Sequence, residues 1–364
     1  MSTSITVKTP GKLMVAGEFA VLENYQKLVV MAVNRFVYAA LEQSDENRLS
    51  LLNYGLSDLE WEWTGNKISV KSDDERIRFV ENTMTAVYTY LREHNISPKP
   101  SHLSVRSELD DTSGRKYGLG SSAAVATAVV SAILKQFLPH EPSKQLIFKL
   151  ASISHVITQG NGSGADVAAS SHGGMLQYSS FQADWLLRAY NDADTITKLA
   201  ESDWPYFTVK PIKLPATIHM CIGWTGSPAS TSSLIRKIRA LKDSNPSQYK
   251  QFLSDSSVAV KSFLDGVTQA DPVQVIEGVR LNRRALAEVG RNAGVDIETP
   301  ALATLCDLAE QHGGAGKPSG AGGGDCGIAF LPSGEQAEQL KNDWEKAGIK
   351  PLDLTLHPDG SIKI

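Results

Sequence analysis

The chain has 364 residues, enough for two domains with substantial cores, and an ordinary globular composition of 41% hydrophobic and 21% charged residues. A formal net charge of −4 argues against general nucleic-acid binding, so an anionic substrate has to be held by a local cluster of Lys and Arg. Three scattered cysteines, Cys221, Cys306 and Cys326, without a C-x-x-C pair, suit a reducing cytosol better than a disulfide framework or zinc site; no signal peptide or membrane span is expected.

In chain order, Ile5 and Val7 alternate with polar neighbours and predict a short strand ending at Thr9-Pro10-Gly11. Lys12 follows, at the start of an apolar run. It either projects into a cleft or caps a solvated turn, and its neighbours alone favour the turn. Strands are predicted over 28–34, 35–42, 49–53, 59–63 and 67–71, which makes the early part β-rich. Ile77, Val80, Met84, Val87, Tyr88 and Leu91 then recur at helical spacing, an amphipathic helix ending near His94.

A strand over 102–106 and a polar run lead to Lys116-Tyr117-Gly118-Leu119-Gly120-Ser121-Ser122-Ala123, which opens a helix of small apolar residues reaching Leu134. A Gly-rich loop entering a helix aims unpaired backbone N–H groups at one point, where the helix dipole favours an anion. Gly118 and Gly120 let the backbone approach a bulky ligand; Ser121 and Ser122 can cap the helix, bond a phosphate oxygen or hold Mg²⁺. A plain helix cap is the competing reading. Gly118, Gly120 and Ala123 also satisfy G-x-G-x-x-A, but the preceding strand lies too far upstream for a dinucleotide fold, and no Walker A lysine is present.

A helix is predicted over 144–157, followed by a second glycine loop, Gly160-Asn161-Gly162-Ser163-Gly164, with Asp166 in the first turn of the next helix. Taken alone, Asp166 reads as a cap. After a strand over 174–178, the polar region with Asp192, Asp194, Glu201 and Asp203 reads as an excursion between domains. A strand over 217–222 runs into Gly223-Trp224-Thr225-Gly226-Ser227-Pro228-Ala229-Ser230, ahead of a helix with Arg236, Lys237 and Arg239. Further helices are predicted over 248–264, 272–289 and 300–311, the middle one bearing Arg280, Arg283 and Arg284; such basic faces are ordinarily solvated surface. A third glycine loop, 316–327, contains Lys317, Ser319, Gly320, Ala321 and Gly322. It precedes a strand over 328–331, a helix over 336–347 and a strand over 350–356.

Three such loops in this order resemble the GHMP kinases, the superfamily of galactokinase, homoserine kinase, mevalonate kinase and phosphomevalonate kinase. Residues 9–22 resemble its first motif, 116–124 the second and 317–330 the third. The resemblance implies an α+β fold of two domains, 1–212 like the second domain of ribosomal protein S5 and 213–364 ferredoxin-like, with the site in their shared cleft. The stretches 160–166, 223–230 and 317–329 are most similar to the bacterial-type phosphomevalonate kinases, which implies transfer of the ATP γ-phosphoryl group to 5-phosphomevalonate. Mevalonate kinase, diphosphomevalonate decarboxylase and a non-catalytic nucleotide-binding relative are the competitors.

On that resemblance, ATP and Mg²⁺ are the expected cofactors, with small-molecule substrates and neither nucleic acid nor membrane as partner. Lys12 becomes a stabiliser of the transferring phosphoryl group, and Gly118, Leu119, Gly120, Ser121, Ser122 and Ala123 the ATP cradle. Asp166 becomes the active-site carboxylate, orienting Lys12 or the metal rather than acting as an obligatory base. Ser122 is the expected metal ligand. Lys116, His155, Asn161, Ser163, Ser227, Ser230, Arg236, Lys237, Arg284, Ser319, Gly320, Ala321 and Gly322 are the acceptor candidates. One departure stands out: mevalonate kinases carry a metal-binding Glu eleven residues before the catalytic Asp, where this chain has His155, a poor Mg²⁺ ligand.

Overall fold

The computed structural model of the chain describes residues 4–110, 117–226 and 231–364. Its first half carries β1 (Ser4–Ala16), β2 (Lys27–Gln43), β3 (Arg48–Leu51), β4 (Leu56–Trp63), β5 (Ile68–Val70), α1 (Arg78–Glu93) and β6 (Ser101–Ser107). There follow α2 (Ser121–Phe137), α3 (Lys144–Gln159), α4 (Ala165–His172), β7 (Met175–Ser179), α5 (Ala183–Asp192), α6 (Ile196–Glu201) and β8 (Thr208–Ile212). The second half holds β9 (His219–Trp224), α7 (Thr231–Ser244), α8 (Pro246–Gln269), α9 (Pro272–Ala293), α10 (Pro300–Gln311), β10 (Ala315–Pro318), β11 (Cys326–Leu331), α11 (Gly334–Lys346), β12 (Lys350–Leu352) and β13 (Ile362–Lys363).

Two sheets result. Nine strands form the first, in the order β13-β1-β2-β6-β3-β4-β5, with β7 and β8 continuing from the other half of β2. The second has four antiparallel strands, β10-β11-β9-β12, the strand order of a ferredoxin-like sheet. β2 is one strand of 17 residues, not the two expected over 28–34 and 35–42, because its Lys27–Met31 end pairs with β7 and its Val37–Gln43 end with β6. β1 likewise runs past Pro10-Gly11 instead of stopping there. Proline offers no N–H to the ladder, and a register shift between Pro10 and Gly11 absorbs the defect.

α2 packs on β1 and β2, with α1, α3 and α4 around it. Its alanines and Val129, Val130, Ile133 and Leu134 are fully buried, so it is apolar all round, as a central helix must be. The segment expected as an excursion between domains is instead α5, α6 and β8 folded against α3. The reason is aromatic: Phe207 stacks on Phe148 at 4.7 Å and Trp204 meets Phe181 edge-on at 4.9 Å, while Glu93 accepts hydrogen bonds from the first amides of α6. The last residues cross back to the first sheet. Lys363 pairs with Val7, His357 N donates to Ala32 O at 3.0 Å, and the hydroxyls of Ser361 and Thr9 meet at 2.7 Å.

At the end of α4, burial pushes the His172 imidazole down to about 4 from 6.5, against a hydrogen bond to the Ala168 carbonyl that raises it. Unfolding restores the ordinary value, so the unfolded chain binds the extra proton first. The neutral ring's contribution is therefore complete above pH 6.5 and drains away as pH falls towards 4. The expected loss is on the order of 3 kcal/mol across that window. Denaturant titrations of the wild type and His172→Gln at several pH values should show the steeper acid loss in the wild type alone.

Candidate active site

β1 delivers Lys12 to the mouth of α2. Lys12 is 8% exposed; its backbone N donates to Leu119 O at 2.9 Å and its ammonium donates to Gly118 O at 3.0 Å. The loop can lie this close because of two glycines in the left-handed region. At Gly120, φ is +76° and a Cβ would stand 2.9 Å from Lys12 Cγ and Cε; at Gly118, φ is +78° and a Cβ would stand 2.8 Å from the Asp325 side chain. Gly120 caps α2, and Ser121 and Ser122 form its first turn, where unpaired amides and the dipole favour an anion.

α3 and α4 supply the next wall. His155 is buried, edge-on to Phe79, with Nε2 3.3 Å from Ser122 Oγ. The turn 160–164 brings Asn161, Gly162 and Ser163 round, and Tyr178 donates to Ser163 O at 2.6 Å. Asp166 sits in the first turn of α4 and accepts from the Val167 amide at 3.0 Å. Burial, and next the charge of Asp166, push the Tyr178 phenol well above its ordinary value, so it stays a neutral donor.

The turn between β10 and β11 closes the far side. Ser319 spends its hydroxyl on β1, accepting from Met14 N at 3.1 Å and donating to Met14 O at 2.9 Å. Lys317 is not a loop residue: it lies in β10, paired with Ile328, fully buried and ion-paired with Glu18. Between these walls is a cavity of about 380 Å³ lined by Lys12, Gly118, Leu119, Gly120, Ser121, Ser122, His155, Asn161, Ser163, Asp166, Ser319, Gly320 and Ala321. Those thirteen expected residues meet in one place.

Others do not. Ala123 is buried behind the wall, and Gly322 packs on Ile297, whose carbonyl would lie 2.3 Å from a Cβ. Arg236 and Lys237 are exposed; their neighbour Ile235 lines the cavity, and the next two positions of a helix are turned away by about 100° and 200°. Arg284 is exposed as well, while Arg283 is held by Glu298, Asp307 and Glu310. Lys116, Ser227 and Ser230 lie outside the described residues. Sequence reasoning missed Glu18, Phe19, Asp110, Gln159 and Asp325, all on the wall. The Gly17-Glu18 step inside the first motif was the one visible signal.

A second cavity of about 220 Å³ adjoins the first through Asp110, Ser121, Ser122 and Gln159. Leu51, Phe79, Val80, Val105 and Val125 line one part of it and Asn53, Ser107 and Asp110 another, and Arg76 lies 4.9 Å over the Tyr54 ring within the same wall.

Comparison with known proteins agrees with this geometry. Residues 82–174 match the model of the GHMP kinases N-terminal domain and residues 271–350 that of the GHMP kinases C-terminal region. A phosphomevalonate kinase of Streptomyces is 32% identical over 97% of each chain. This chain belongs to the GHMP kinase family. Among solved structures, a Listeria innocua protein superposes on this GHMP kinase with TM-score 0.93 at 38% identity, covering 99% of each chain. Streptococcus pneumoniae phosphomevalonate kinase, in complex with phosphomevalonate and AMPPNP, superposes with TM-score 0.84 at 26% identity, covering 97% of this chain and 99% of that one. The fold is thus the two-domain GHMP kinase fold. Among the described residues no helix is long and apolar enough to cross a membrane.

Because the Lys12 stem lies on Gly120, Gly120→Ala should displace the ammonium and strain the cap. Turnover is expected to fall by about 100-fold. Steady-state assays beside thermal unfolding check this: the kinetic loss should persist at temperatures where the variant is fully folded.

Proposed function

We propose that this GHMP kinase transfers the γ-phosphoryl group of ATP to (R)-5-phosphomevalonate, giving (R)-5-diphosphomevalonate and ADP. The observation that carries the reading is the seam between the two cavities, where Ser121, Ser122 and the amide end of α2 stand next to Lys12. The second cavity, with aliphatic and aromatic side chains beside a few polar groups, suits a nucleobase, which leaves the triphosphate on the helix N-terminus and its γ-phosphorus facing the larger cavity. Near-full-length similarity to phosphomevalonate kinases supports the acceptor.

In the transfer, an oxygen of the acceptor phosphate forms a bond to the γ-phosphorus as the bond to the β–γ bridging oxygen breaks, and ADP takes the electron pair. A phosphate monoester with a second pKa of about 6 is already largely dianionic at pH 7, so no base is required. Charge is the obstacle. On the described wall Lys12 stands with four carboxylates, Glu18, Asp110, Asp166 and Asp325. Lys12 stabilises the charge on the transferring group, and the N-termini of α2 and α4 add their partial positive charge. Asp166 orients the ammonium or the metal.

Mg²⁺ fits this donor set. Ser122 and Asp166 offer hard oxygen ligands, and His155, bonded to Ser122, orients the hydroxyl instead of binding metal. No group of three His, Cys, Asp or Glu among the described residues could hold an ion, so Ser122 and Asp166 would be this chain's contribution to holding Mg²⁺. When bound, Mg²⁺ neutralises phosphate charge. The segments 1–212 and 213–364 are the two domains of this reading, and three buried free thiols suit a cytosolic location.

Lys12→Met should leave ATP binding largely intact and lower turnover by about two to three orders of magnitude, read by coupled ADP release. A turnover within a factor of about two of wild type would remove Lys12 from the mechanism. With Mg²⁺–ATP fixed, kcat/KM for phosphomevalonate should exceed that for mevalonate by at least about 100-fold, since a pocket built for a phosphate leaves its donors unpaired on an alcohol. Equal use of mevalonate would sink the acceptor assignment.

A further inference from the structure

The buried pair Glu18–Lys317 takes no part in the transfer just described, yet it joins three segments of the site. Glu18 is 4% exposed and Lys317 0%. Besides the ion pair, the Glu18 carboxylate accepts from Asn282 Nδ2 at 3.1 Å and from the Gly320 amide at 3.3 Å. Asn282 is itself committed, its Oδ1 accepting from Gly17 N at 3.0 Å. Donors from β10, from α9 and from the glycine turn therefore converge on one side chain. A carboxylate accepts at every lone pair, whereas an amide would turn its own N–H towards one of these donors. Removing two charges from water is costly, and apolar residues of similar volume often give equal stability, so stability alone is a weak reason for the pair.

The adjoining backbone supplies a second, independent observation. Phe19 has φ 60° and ψ −46°, and Ala20 N donates to Glu18 O at 2.7 Å. That is a γ-turn at positive φ, a rare and strained conformation for a residue with a Cβ. The Phe19 ring is anchored in the cluster of Ile238, Tyr249, Phe252 and Leu286, while the Glu18 side chain is anchored by Lys317. Glu18, Phe19, Ser319 and Gly320 all line the larger cavity, and none of them lines the smaller one that adjoins it.

We propose that Glu18, neutralised by Lys317, is a positioning residue for the acceptor: it holds the strained turn at Phe19 and the Ser319-Gly320 turn at a fixed separation. The proposal rests on the kinase reading and adds to it the device that shapes the acceptor end.

The test compares Glu18→Gln, Lys317→Met and the double variant in the full chain with Mg²⁺–ATP and phosphomevalonate. Each single variant loses thermal stability through an unpaired or mispaired buried group, and the double variant, which leaves no buried charge unpaired, should recover most of the midpoint lost by Lys317→Met. Its KM for phosphomevalonate should nonetheless stay raised about tenfold or more, with KM for ATP within about threefold of wild type. Recovery of both midpoint and acceptor KM would make the pair purely structural and overturn the proposal, as would a loss shared equally by both substrates. If the double variant does not fold, Glu18→Asp, which keeps the charge and draws it back, reads the same ratio. A wild type that uses a different acceptor overturns the substrate assignment alone; the KM ratio with that acceptor still decides the role of Glu18.

Discussion

Lys12 lies where it does because Gly120 has no side chain. The lysine stem occupies the space a Cβ would take, and two successive carbonyls of the glycine loop receive the ammonium and the amide of Lys12. One strand is thereby stitched to the mouth of one helix. The same strand carries the rest outward from that point: two residues on, Met14 is bonded in both directions to Ser319, and the turn after the strand ends in Glu18 against Lys317. β1 belongs to the first sheet, and Ser319 and Lys317 belong to the hairpin of the second. The glycine loops at 118–120 and 317–320 meet because one strand touches both.

That construction also bears on how acidic substrates are held. Glu18 is cancelled by Lys317, and the amide ends of α2 and α4 supply positive potential that no count of lysines records. Net charge is therefore a poor guide to such a site. The chain is negative overall, yet an ammonium and a helix N-terminus line the larger cavity beside its carboxylates.

The glycine loops, Lys12 and Asp166 were legible because their signal is local: a glycine beside a serine at a helix start means the same thing wherever the chain goes next. The acceptor cations were not. Arg236, Lys237 and Arg284 were chosen for charge and for their place in the motif order, and nothing local says which face of α7 or α9 meets the cavity; Ile235 does, and Arg236 does not. Glu18 was passed over for the same reason, since its partners lie 299 and 264 residues away. The segment with Asp192, Asp194, Glu201 and Asp203 misled through its acids. Trp204 and Phe207, which fix it against Phe148 and Phe181, were the residues to weigh.

Contacts between the halves of the molecule also run through the glycine loop ahead of α2. Asp325 of the second sheet's hairpin presses on Gly118, Cys326 Sγ donates to Tyr117 O at 3.1 Å, and Trp224 at the end of β9 meets the Tyr117 ring edge-on at 5.1 Å. The chain end then returns to β1, where Ser361 meets Thr9 three residues before Lys12. A hinge motion between the sheets would have to break or carry these contacts with the 117–120 loop. Phosphoryl transfer leaves a protein little to do beyond holding charge and geometry, so a cradle braced from both halves before substrates arrive avoids reorganisation when the charge shifts. The cost of that bracing is carried in the backbone, at the positive φ of Phe19 and of Asp325, two non-glycine residues on the wall of the same cavity.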